Sequence, residues 1–112
     1  LVREAYCAVK RFILSPDAER DLDEILEYLD AIPERPALFI ASTLQKAFDS
    51  IAAYPYRGAA QSELSRIAGQ EVRSRFVNDY RIFYFVGGFA PEIVGVLHAA
   101  RDGSGIMARR LQ

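Results

Sequence analysis

The sequence predicts a small α+β domain in the order β-α-α-β-β-β, with a mainly antiparallel sheet and a two-helix hairpin packed on one face. Two amphipathic stretches at helical spacing fill the first half of the chain. Three runs rich in β-branched and aromatic residues, parted by turn residues, fill the second half. Helices with one apolar stripe and strands with one apolar face must bury those faces against each other, which selects a layered architecture. A chain of 112 residues has room for one such domain and not two.

Local chemistry justifies each element. Residues 1–8 show no period and read as an irregular leader. Residues 9–14 read as a short strand, with Phe12 and Leu14 alternating against Arg11 and Ile13. Ser15-Pro16-Asp17 then marks a helix start. Serine caps, proline fits the first helical position, and Asp17 and Glu19 meet the positive helix end. The stripe Ala18, Leu22, Ile25, Leu26, Leu29 carries this helix to about residue 30. Pro33 and Pro36 leave a short joint, which favours an antiparallel hairpin of helices. The second helix spans 36–53 on Phe39 or Ile40, Leu44, Ala47, Phe48 and Ile51, and Pro55 stops it. Residues 56–70 have no decisive period and could hold one weak helical turn at 62–67.

Residues 71–77 alternate, with Val72, Ser74 and Phe76 on one face and Arg73, Arg75 and Val77 on the other. Asn78-Asp79 turns the chain into an aromatic strand over 80–86, and Gly87 to Pro91 into a last strand over 92–99. Tight connections make these three an antiparallel meander. The first strand joins one edge of it, since its backbone would otherwise stay unpaired; which edge is left open. The second sheet face is expected to remain largely uncovered. The domain then spans 9–102, followed by a C-terminal tail over 103–112.

The composition, 51% hydrophobic and 26% charged, suits a folded domain. The net charge of -1 conceals a segregation. Seven acids and one base, Arg20, lie between Asp17 and Asp30; eight arginines and five acids follow from Arg57 onward. Cys7 is the single cysteine, so no internal disulfide forms, and no cysteine–histidine spacing suggests a metal. No cofactor is expected, since Gly87-Gly88 sits in a hairpin and opens no helix. No apolar run reaches membrane-spanning length, and the first eight residues lack a signal peptide's apolar segment; a cytoplasmic protein is expected.

These segments resemble the RelE/ParE toxin superfamily, and its ParE-like branch more closely. The resemblance rests on Leu14-Ser15-Pro16 with Ala18 and Asp21-Leu22, then on Ile51, Pro55 and Gly58 at the second helix end. Its most specific part is the closing block: Val72-Arg73, Tyr80-Arg81-Ile82-Phe83-Tyr84, Val96-Leu97-His98 and Arg101-Asp102. It covers about Lys10 to Asp102. The resemblance implies the toxin of a type II toxin–antitoxin pair in bacteria, wrapped by the C-terminal segment of a small cognate antitoxin. RelE-like members cleave messenger RNA on the ribosome; ParE-like members act on DNA gyrase.

A ribonuclease needs a proton acceptor, a proton donor and positive charge on the phosphate. His98 is the candidate acid or base, Arg73 and Arg81 the phosphate ligands, and Tyr84 a stacking surface. Against that set, the chain has two lysines, Lys10 and Lys46, and no aromatic residue after Asp102. A strand histidine beside an arginine and an aspartate is more often a hydrogen-bonded fixture. The residues favour a binding toxin over an enzyme, with Arg73, Arg75, Arg81 and Arg101 contacting target or antitoxin. The ribonuclease and an inactive antitoxin-binding module are the alternatives. The most regular helix is acidic, so direct DNA binding by this chain alone is not expected.

Overall fold

A computed structural model describes residues 4–6, 11–32 and 37–112, with side chains from Phe12 onward in those ranges. Cys7, Lys10 and the joint 33–36 lie outside the described residues. The elements are β1 (Glu4–Tyr6), β2 (Arg11–Leu14), α1 (Pro16–Asp30), α2 (Ala37–Ala53), a 3-10 turn (Pro55–Arg57), β3 (Ala59–Ala60), α3 (Ser62–Ala68), β4 (Val72–Val77), β5 (Tyr80–Phe85), β6 (Glu92–His98) and α4 (Gly103–Arg110). They build one six-stranded sheet in the order β1-β2-β6-β5-β4-β3.

The helical hairpin forms for the expected reasons. The Ser15 hydroxyl accepts from the Ala18 N–H at 3.1 Å, with Pro16 in the first turn. Ala18, Leu22 and Leu29 of α1, and Leu44, Ala47, Phe48 and Ile51 of α2, are buried. All of these but Leu29 pack with Phe12, Leu14, Ile82, Tyr84, Ile93 and Val96 of the sheet in the larger core. Phe12 and Phe48 meet with ring centroids 5.3 Å apart, which seats α2 on β2. The β4–β5 hairpin turns at Asn78, whose φ of 52° is a left-handed conformation asparagine tolerates.

Three expectations are corrected. The sheet is mixed: β2 lies parallel to β6, pairing Ile13 with Glu92 and Leu14 with Ile93. Both helices and two of the three meander strands separate β2 from β6, so no tight turn forces them antiparallel. The order is also richer than β-α-α-β-β-β. Residues 4–6 of the expected leader form β1, loop 56–70 holds β3 and α3, and tail 103–112 contains α4. Finally, the second sheet face is covered. Leu64 of α3 and Met107 of α4 pack with Val72, Phe83, Val94 and Leu97 in a second core.

Glycines permit that second layer. A Cβ on Gly95 would lie 2.6 Å from Met107 Sδ, so the bare β6 backbone makes room for the methionine. A Cβ on Gly103 would come within 3.2 Å of the Phe83 ring. Helix propensity argues against a helix holding Gly103 and Gly105. Asp102 offsets this by capping α4, accepting from the Gly105 N–H at 3.1 Å.

The central strand β6 carries a bulge. Phe83 pairs with Gly95 and Tyr84 with Ile93, leaving Val94 as the extra residue. β2 has ended by this point, so the rest of this β6 edge has no strand beside it. Side chains take its place. Asp21 Oδ2 of α1 accepts from the Val96 N–H at 2.9 Å. Arg110 of α4 donates to Asp21 at 2.8 Å and 3.2 Å, and to the Val94 carbonyl at 3.3 Å. The Asp21 hydrogen bond, opposed by burial and aided by the charges of Asp21, Asp17 and Glu24, holds the Arg110 guanidinium above its usual pKa.

Arg110→Ala strands the buried Asp21 carboxylate and is expected to lower the free energy of unfolding by about 2–3 kcal/mol. Arg109→Ala, on the exposed side of the same helix, should stay within about 0.5 kcal/mol of wild type. Urea titrations of both variants check this, and equal losses would refute the bridging role.

Candidate functional site

Arginines dominate the late part of the chain, and the structure sorts them by task. Arg73 Nε binds Glu71 at 2.7 Å, while its NH1 donates to the Tyr56 and Gly58 carbonyls at 3.0 Å and 2.8 Å. It therefore ties the 3-10 turn to β4. Arg75 donates to the Ser50 hydroxyl at 2.7 Å, tying β4 to α2. Tyr84 completes the frame: its hydroxyl donates to the Pro55 carbonyl at 2.7 Å and accepts from the Gly58 N–H at 3.2 Å. Gly58 must lack a side chain here, since a Cβ would collide with the Tyr84 hydroxyl and come within 2.8 Å of the Ser74 carbonyl.

Arg81 sits on the opposite sheet face. Its guanidinium lies 4.7 Å from the Phe83 ring centroid and 5.2 Å from that of Phe76. His98 and Arg101 lie elsewhere again. They line a groove of about 440 Å³ between the second half of α1 and the β5–β6 end, with Glu24, Tyr28 and Tyr80. The His98 Nδ1 accepts from the Ala100 N–H at 3.1 Å, and its ring meets Tyr80 edge-on at 5.5 Å. The histidine thus holds the turn after β6.

The structure brings Arg73, Arg75 and Tyr84 together on the hairpin face. It does not bring His98, Arg73, Arg81 and Tyr84 into one site. Arg81 is on the other face, paired in register with Phe76. His98 pairs with Tyr80 and Tyr84 with Ile93, so the two lie about four residues, roughly 13 Å, apart along the strands. Among the described residues no group of three or more His, Cys, Asp or Glu could hold a metal ion. None of their helices is long and apolar enough to cross a membrane.

Two features escaped the sequence reading. One is the Asp21–Arg110 pair, whose partners lie 89 residues apart. The other is a rim at the 3-10 turn, where Arg57 stacks over the Tyr54 ring at 3.9 Å and Arg73 over Tyr56 at 5.2 Å. Its only sequence signal is the run Tyr54-Pro55-Tyr56-Arg57-Gly58.

The chain thus builds a small mixed sheet sandwiched between a helical hairpin and two short helices, with arginines along its rims. Residues 12–103 match the family described as the ParE toxin of the type II toxin–antitoxin system parDE, and the chain belongs to that family. No curated protein matches the sequence.

Burial raises the Tyr84 pKa above its usual value, against the Gly58 hydrogen bond and the charges of Arg73 and Arg75. A folded-state value above the unfolded one favours the neutral hydroxyl in the folded protein. That stability is complete below about pH 10 and is lost as pH rises through the folded-state value. Tyr84→Phe is expected to cost about 1–2 kcal/mol at neutral pH and to show a flatter decline above about pH 10. Urea midpoints measured across that range test it; parallel alkaline slopes in the two proteins would refute it.

Proposed function

We propose that this chain is a growth-arresting toxin, acting in the bacterial cytoplasm, that binds its target rather than processing it and is neutralised by a cognate antitoxin. DNA gyrase is the proposed target. The observation that carries this reading is the family match over residues 12–103, which spans every site residue considered above except Arg110. The scattering of His98, Arg73, Arg81 and Tyr84 over two faces and two ends supports binding over cleavage. Arg101 is exposed and makes no side-chain hydrogen bond or ion pair among the described residues, so of Arg73, Arg75, Arg81 and Arg101 it is the one best placed to contact a partner. Arg73 and Arg75 act mainly by holding the surface in shape. An acidic antitoxin segment complements these charges.

A second reading, a ribosome-dependent endoribonuclease, draws on His98 and Arg101 sharing one groove. It would use them as acid–base group and phosphate ligand.

Tightly controlled expression separates the two. The binding toxin is expected to arrest growth with a DNA damage response and intact messengers, and to be rescued by co-expressing its antitoxin. Arg101→Glu should weaken target binding by about tenfold, the equivalent of one 1.4 kcal/mol step, and raise the inducer needed for arrest, whereas His98→Ala should retain arrest. Cleaved messengers with intact chromosomes, or loss of arrest in a folded His98→Ala protein, would overturn the gyrase reading in favour of the nuclease. Unimpaired growth with the wild-type chain would leave only an antitoxin-binding module.

A further inference from the structure

The 3-10 turn presents aromatic rings in a way the core does not require. Tyr54 and Tyr56 are 53% and 63% exposed, yet both sit on a rigid support. Pro55 stands between them, its carbonyl held by the buried Tyr84 hydroxyl, and Arg73 holds the carbonyls of Tyr56 and Gly58. Each ring also has a guanidinium over it, from Arg57 at 3.9 Å and from Arg73 at 5.2 Å. We propose that this rim is a binding site for single-stranded nucleic acid, with bases stacking on the two tyrosine–arginine platforms and the backbone tracking past Arg57 and Arg75.

Charge and shape both point to this class of ligand. The chain as a whole is slightly acidic, but the rim is not. Arg57 has no carboxylate partner among the described residues, and the partner of Arg75 is the neutral Ser50 hydroxyl. Glu71 balances Arg73 alone. The acidic helix α1 packs on β6, two strands away from β4. Flat rings backed by guanidinium planes are surfaces on which any base stacks, and a positive edge beside them meets phosphate. An acidic peptide would use the charge and leave both rings unemployed. Because Arg73 and Tyr84 fix the turn before any ligand arrives, little ordering opposes binding. The proposal rests on the rim alone and does not depend on the identity of the toxin's target.

Fluorescence anisotropy of the full chain with a labelled oligothymidylate of about 12 nucleotides tests it, a length within the roughly 4–16 nucleotides such sites span. Saturable binding is expected, weaker for a duplex of equal length. Tyr54→Leu and Tyr56→Leu should each weaken it by about tenfold or more, and Tyr56→Phe should preserve it. Arg57→Gln should reduce the slope of log affinity against log salt by roughly 0.7, the share of one phosphate contact. Unchanged circular dichroism and urea midpoints establish that these exposed variants fold. Absence of binding by the wild type would overturn the proposal. So would leucine variants that bind as well as wild type while polyglutamate displaces the oligonucleotide, which would make the rim a surface for acidic peptide.

Discussion

The free edge of β6 is the constraint on which the rest of the structure depends. β2 has four residues against seven in β6, and their pairing ends at Ile93. The bulge at Val94 then leaves a carbonyl and the Val96 N–H facing away from β5, inside the protein. Buried backbone groups without partners are costly, so something other than a strand must meet them. Asp21 meets the N–H and Arg110 meets the carbonyl, and the two bind each other. They come from helices on opposite faces of the sheet. A single ion pair thereby sets both helical layers in register with the central strand.

That arrangement explains why the second face closes. α4 can reach Arg110 across to Asp21 only by lying tight against β6, which Gly95 permits and Met107 fills. Most of α4 lies past the matched segment 12–103, so this closure is built largely by residues the family match does not cover. The wall that results separates the polar features of the molecule. The His98 groove opens at one end of the sheet, the Tyr54–Gly58 rim at the other, and the Arg81 stack on the face of α3 and α4.

Charge read along the sequence treats the late arginines as one group. In space they separate by task. Arg73, Arg75 and Arg110 spend their donors on backbone carbonyls, a hydroxyl and carboxylates of the protein itself. Arg57 and Arg101 face solvent. The first kind holds the shape that the second presents. The same holds for the tyrosines: Tyr84 is fully buried and frames the turn, whereas Tyr54 and Tyr56 project from it.

By itself the sequence determined whatever depends on neighbours along the chain. The Ser15-Pro16 cap, the stripes of α1 and α2, the stop at Pro55, the alternation of β4 and the Asn78 turn are short-range effects, and they fall where the residues place them. The residue blocks these elements carry also pointed to the family that the match over residues 12–103 shows. Only the tertiary structure decided the parallel pairing of β2 with β6, the glycine-bearing helix α4, and the sorting of arginines and tyrosines into frame and surface. Those features rest on contacts between distant residues: Ile13 with Glu92, Gly95 with Met107, Gly58 with Tyr84, Asp21 with Arg110. No local propensity encodes such contacts; in α4 it even opposes them, and burial and hydrogen bonding across the sheet outweigh it.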